Sequence, residues 1–377
     1  MTERMTAITP ASFPTPHFAL HTNDETEVAR IREFAHEHVR AAMATLPPLA
    51  DALRTAWSRQ GRAAAFRAAY EAITRWRADL AHRTRRRVGV GLADEPDRYL
   101  LSIDEGGPNY DRLGYVGRLR EKPFWHGESR TYRGGLATPA LRITVRYGQV
   151  ALDRFAAERH DGDTLRNLVT LPDGTTIVGN SLVRGAAARR VAADLVRRIA
   201  RRGVDASRIE TGGDPVYAVT APDANRARLF EVAMTVLGDA APHDVGAWQT
   251  ARYLLYQAPL TKKGSDAVIR TFLVTAGTFL LDEPPVLEQD VDLRCIVAGQ
   301  RAATVMPPRP RVSYEPARKP CRDGSALPDQ SNIVRLSFGL PSPGDQPTPG
   351  SQPGSQSKKP APREPGTAAR TLRSSSK

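Results

Sequence analysis

The chain has 377 residues, enough for one large or two ordinary domains with a sizeable core, which excludes a purely fibrous or wholly disordered polypeptide. Hydrophobic residues make up 40% and charged residues 25%, the composition of a globular protein, and two cysteines, Cys295 and Cys321, exclude a disulfide scaffold and a Cys-based metal site. The formal charge is +13; residues 305–377 hold 12 Lys and Arg against 5 Asp and Glu, so the tail contributes +7 (12 − 5) and the much longer body +6 (13 − 7).

Residues 1–22, with Pro10, Pro14 and Pro16 and no apolar core of signal-peptide length, read as an unstructured leader. A helical segment over 23–87 follows. Asn23 is its expected N-cap, and Val28, Ile31, Phe34, Ala35 and Val39 keep helical spacing up to Pro47–Pro48, the expected stop. A second helix carries Leu53 and Trp57, and a third places Phe66, Tyr70, Ile73, Trp76 and Leu80 on one face before Arg85–Arg87.

From residue 88 the period shifts toward that of strands. Tyr99–Ile103, Leu141–Tyr147 and Thr175–Val178 are β-favouring runs, and Asp173–Gly174 has the chemistry of a hairpin turn. A helix is expected from Ser181 to Arg202, stopped by Gly203, with Val183, Val191, Leu195 and Ile199 inward and Arg189, Arg190, Arg197, Arg198, Arg201 and Arg202 elsewhere. The stretch Gly203–Val216 resembles the helix-to-strand turn of OmpA-type peptidoglycan-binding domains over about 30 residues, and no binding residue carries over. Three more helices follow, with caps at Asp223, at Asp244 and at Ser265 or Asp266, the last running to Leu281; Val291–Val297 reads as a strand. After Thr304 the chain turns to Pro, Gly, Ser, Gln and Lys, with 14 of the 30 prolines, so 305–377 reads as a disordered tail. The fold class is α+β, with a mixed domain over 88–304. No apolar window is long enough for a membrane span, and a cytoplasmic protein without a membrane partner is the simplest expectation.

The most informative segment is Lys262-Lys263-Gly264-Ser265 with Arg270. Glycine and serine at a helix start expose backbone N–H groups at the positive end of the dipole, and adjacent lysines add charge for a phosphate or carboxylate; a capped helix with solvated lysines is the plainer alternative. Downstream, Asp290 and Asp292 on a strand would share a face and offer two oxygens to Mg²⁺, the cofactor of a nucleotide triphosphate. Gly264-Ser265 followed by Asp290-Val291-Asp292-Leu293 resembles the nucleotidyltransferase superfamily, and the resemblance implies nucleotidyl or phosphoryl transfer. The same helix start resembles the anion loop of Fic-type AMP-transferases, with Pro259 in place of the histidine. Tyr132-Arg133-Gly134 is similar to the NAD-contacting strand of ADP-ribosyltransferases, which implies an NAD-using effector with Arg133 on the dinucleotide. The expectation is thus a protein binding an anionic, nucleotide-like ligand; the rival is a non-enzymatic module whose Arg-rich helices and basic tail contact nucleic acid or an acidic protein.

Overall fold

The computed structural model describes residues 8–13, 25–84 and 96–304. The expected Asn23 cap, Arg85–Arg87 and the tail over 305–377 lie outside the described residues. The α+β class holds: ten helices and six strands are described.

Helix α1 (Glu25–Thr55) runs through Pro47–Pro48, which the reading made its end. Proline removes an N–H and crowds the preceding turn, yet Leu46, Leu49 and Leu53 on this stretch are all buried, and that packing outweighs the local preference. Trp57 lies beyond the helix and is 98% exposed, so it is no core residue. Helix α2 (Arg59–Thr84) buries Phe66, Tyr70, Ile73 and Leu80 as its spacing demands. Within the supposed leader, Ile8 and Phe13 flank a turn at Pro10–Ser12 and are buried; the Phe13 ring stacks on His38 at 5.0 Å.

The run Tyr99–Ile103 is no strand: a 3-10 turn (Pro96–Tyr99) leads through a single bridge, Ser102 to Thr261, into the short helix α3 (Ile103–Gly106). Strands β1 (Tyr110–Leu113), β4 (Thr164–Thr170), β5 (Thr176–Val183) and β6 (Val216–Val219) form an antiparallel sheet in the order β1-β6-β5-β4. Strands β2 (Phe124–His126) and β3 (Thr131–Arg133) make a separate hairpin. The Asp173–Gly174 turn joins β4 to β5 as read, with Gly174 at φ 82°.

Leu141–Tyr147, read as a strand, lies in helix α4 (Pro139–Ala157). The Thr138 hydroxyl accepts the Leu141 N–H at 3.2 Å, Pro139 occupies the first turn, and Leu141, Tyr147, Ala151 and Phe155 form a buried helical stripe. These outweigh the β-branched run Ile143-Thr144-Val145. Helix α4 covers one face of the sheet, over Leu113, Leu165, Leu182, Val216 and Ala218. Its Gly148 crosses Gly114 so closely that a Cβ there would stand 2.3 Å from the Gly114 Cα, and the Gly114 N–H donates to the Thr144 carbonyl at 2.9 Å.

The opposite face, Val183 and Tyr217, is covered by α5 (Gly185–Arg201) through Ala187, Ala188 and Ala192. Ser181 to Val183 belong to β5 rather than to this helix, while Gly203, at φ 70°, follows its end as expected. Helices α6 (Asp223–Asp239), α7 (Val245–Gln257) and α8 (Ser265–Leu281) join α1 and α2 in the main core. Asp244 caps α7 by accepting the Ala247 N–H at 2.8 Å.

Val291–Val297 is helix α9, not a strand, and α10 (Gln300–Thr304) follows. Seven residues are too few to reveal a period. Val291 and Cys295, four apart, are both buried, and the last carbonyls of the helix are taken by side chains: Gln257 Nε2 donates to Cys295 O at 2.7 Å, Asn167 Nδ2 to Ile296 O at 2.7 Å and Arg154 Nη1 to Val297 O at 2.7 Å. A bulge in β5 leaves the Asn180 N–H outside the ladder, and Gln257 Oε1 accepts it at 3.0 Å.

Candidate functional site

Helix α8 starts at an isolated bridge. Lys262 N donates to Leu101 O at 3.0 Å and Ile103 N to Leu260 O at 3.0 Å, which ties the loop before α8 to the turn before α3. The loop is closed by hydroxyls: Ser265 Oγ donates to Thr261 O at 3.0 Å and Thr261 Oγ1 to Lys263 O at 2.9 Å. Gly264 is the N-cap at φ 76°, and a Cβ would meet Tyr99 Cδ1 at 2.6 Å, so glycine is required twice over. Having no side chain, it cannot cap. Among the described residues the N–H groups of Ser265, Asp266 and Ala267 meet no acceptor, and the 17-residue helix presents its positive end there.

Lys262 donates its ammonium to Gly107 O at 2.5 Å. Its neighbour Arg198 donates to Pro108 O at 2.9 Å and to the Tyr110 hydroxyl at 2.9 Å, and pairs with Asp194 at 2.6 Å. Arg226, buried, is held by Asp104 and by Asp223 at 2.8 Å. Burial, and then the charges of Arg198, Arg98, Arg202 and Arg226, push the Lys262 pKa down to about 8. Lys263 lies 5.4 Å over the Tyr99 ring, the same ring that Arg77 covers at 4.1 Å.

Arg270 does not join this cluster. It is buried, and its donors go to Asp266 at 2.8 and 2.9 Å, to Glu288 O and Gln289 O at 2.8 Å each, and to Asp292 at 3.2 Å. Burial disfavours its charge, but Asp266, Tyr256 and Asp292 outweigh that and raise its pKa. Arg270 therefore fastens the segment before α9 to α8, with its donors directed to these partners.

Asp290 and Asp292 do not lie on a strand. Asp290 stands at the N-cap position of α9 without a side-chain capping bond and Asp292 lies in its first turn, about 200° round the helix from each other, so they share no face. Asp290 accepts the Tyr147 hydroxyl at 2.8 Å, and Asp292 faces Arg270. Burial and the Asp266 carboxylate raise the Asp292 pKa against the pull of Arg270. Among the described residues no group of three His, Cys, Asp or Glu side chains is placed to hold a metal ion.

Arg133 ends β3 on the separate hairpin with its side chain exposed, and no hydrogen bond or ion pair joins it to the residues around α8. A groove of about 540 Å³ between α1 and α2, lined by Ala41, Ala44, Ala65, Ala68 and Trp76, shares no residue with them either.

The sequence marks the loop and Lys262, whereas it singles out neither Arg98 nor Arg226 nor the Gly107 and Pro108 carbonyls, and it reads Arg198 and Arg202 only as part of an Arg-rich helix. The paired glycines before Pro108 are the sequence signal that could have singled out that segment. No protein-family model matches the chain, and no curated protein matches it. Among the described residues no helix is long and apolar enough to cross a membrane.

Proposed function

We propose that the protein binds an anionic, phosphate-bearing ligand of the nucleotide kind at the start of α8. The observation that carries this reading is the pairing of an uncapped helix N-terminus, at Gly264–Ala267, with a cationic cluster around Lys262 that lowers its pKa. Lys263, on the same loop, supplies a further charge. An arriving anion offsets the cationic charges that lower the Lys262 pKa, and that gain adds to the interaction with the helix end. A Mg²⁺-assisted transfer step is no part of this proposal, because Asp290 and Asp292 are engaged with Tyr147 and Arg270.

The test is a thermal-shift titration of the full chain with ATP, GTP, CTP, UTP and NAD, since a ligand of the folded state raises the melting temperature. Lys263→Glu, which gives up only the contact with the Tyr99 ring, is expected to weaken binding at least tenfold with little change in the unliganded melting temperature. Lys262 carries its charge below about pH 8 in the free protein, and a bound anion favours that charge. Affinity should accordingly be level below pH 8 and fall as pH rises above it. No shift with any of these ligands, or unchanged affinity in Lys263→Glu, would remove the site.

A further inference from the structure

We infer that the outward face of α5 is a docking track for the phosphate backbone of a nucleic acid. The helix turns its alanines and Ile199 to the protein and leaves Arg189, Arg190, Ala193, Arg197, Ala200 and Arg201 exposed. Arg190, Arg197 and Arg201 stand at i, i+7 and i+11, one stripe about 16 Å long. Its one acid, Asp194, is spent on Arg197 at 3.1 Å, Arg198 at 2.6 Å and the Tyr110 hydroxyl at 2.8 Å. Arg189, Arg190 and Arg201 meet no carboxylate among the described residues.

Stabilisation of the helix itself does not account for this face. Cations in the last turn complement the dipole, which covers Arg198 and Arg201, but Arg189 and Arg190 sit in the N-terminal half, where the dipole gives cations no support. Like charges at i, i+4, as at Arg197 and Arg201, repel. The cost fits a surface that is neutralised by a partner.

The chemistry of the face selects the partner. No large hydrophobic side chain is exposed on α5, so a protein would find no apolar anchor there. A phosphate backbone needs none; guanidinium groups grip it in bidentate fashion, and the alanines between them leave room for close approach. The inference does not depend on the nucleotide reading, because α5 offers its face whether or not the start of α8 is occupied.

The experiment measures binding of the full chain to a fluorescein-labelled 20-base-pair DNA duplex and to a labelled 20-nucleotide RNA by anisotropy, over a range of salt. Arg189, Arg190, Arg197 and Arg201 are replaced together by alanine, and a charge-matched control replaces the exposed Arg32, Arg75, Arg142 and Arg159. The tail is constant across these proteins, so differences report the body. The α5 variant is expected to lose at least tenfold in affinity for one or both probes, with the slope of log K against log salt shallower by about 3 to 4, since each phosphate contact contributes about 0.9. The control should stay within about twofold. Alanine is the better helix former and the one contact given up is the exposed Arg197–Asp194 pair, so folding is retained; if circular dichroism shows otherwise, Arg189→Ala with Arg190→Ala carries the same comparison. The inference is overturned if the α5 variant and the control behave alike, if neither probe binds at 50 mM salt, or if poly-glutamate binds with the same affinity and the same dependence on α5 as the nucleic acids.

Discussion

In the helical body, Phe66, Tyr70, Leu254, Phe272 and Leu273 meet through apolar contact, with Phe272 edge-on to Phe66 and Tyr70 at 6.3 and 5.4 Å. The seam between the sheet and α9 is held instead by amides and a guanidinium. Arg154 reaches Asn167, Asn167 reaches Asn180, and both asparagines reach Ile296 O; at the edge of the sheet Gln300 exchanges two bonds of 2.8 Å with the backbone of Thr170, as a neighbouring strand would. The contrast teaches how each region responds to damage. Apolar burial is non-directional and is shared among many neighbours, so its loss is felt by the whole fold. A buried amide fixes one partner in one place, and its loss leaves a specific group unsatisfied.

Truncating the body should show the largest effect. Phe272→Ala is expected to cost about 3–5 kcal/mol, read from the midpoint of denaturant unfolding, with every probe of structure melting together. A loss below about 1 kcal/mol would mean that the body is not the principal core. Asn167→Ala should cost about 1–3 kcal/mol, and hydrogen exchange should quicken in α9 and α10 before the rest of the chain. Uniform quickening across the body would erase the distinction between the two regions.

The smallest expected effect is one of pH, at the margin of the body. His38 accepts or donates a 2.6 Å bond with Thr271 and lies against Phe13, Phe34 and Trp76, and burial pushes its pKa down to about 3, against the opposing pull of Asp266. The folded chain keeps this ring neutral while the unfolded chain takes up a proton below about 6.5. Its contribution is therefore complete above that pH and is lost as pH falls from 6.5 toward 3. At pH 5.5 this one group removes about 1.4 kcal/mol relative to pH 7.5. A chemical-denaturation series on His38→Phe, which keeps the ring contacts, should be flatter over this range; equal slopes would assign the acid sensitivity to other groups.

What could be read from the sequence divides along the same line. The stripe on α2, the Asp244 cap, the Asp173–Gly174 hairpin and Gly203 are local signals, each complete within a few residues. Leu141–Tyr147 misled because three β-branched residues speak more loudly in a short window than Thr138–Pro139 just ahead of it. Pro47–Pro48 misled because the packing that carries α1 past them comes from α2 and α8. The seam left almost no trace: Asn167, Asn180, Gln257 and Arg154 look like ordinary polar residues until the chain folds. At the start of α8 the loop residues were visible as a helix entry, while Arg98, Arg198, Arg202 and Arg226 are separated from Lys262 by 36 or more residues and share no spacing with it.

The crossing of Gly148 over Gly114 bears on how this molecule tolerates change. Tyr147, next in the chain, sets the hydroxyl that Asp290 accepts where α9 begins. The height of α4 above the sheet is thus gauged by bare peptide against bare peptide, and side chains elsewhere on the helix can drift without altering it. A single added methyl at this crossing would act as a wedge, tilting the helix and shifting the point from which α9 hangs.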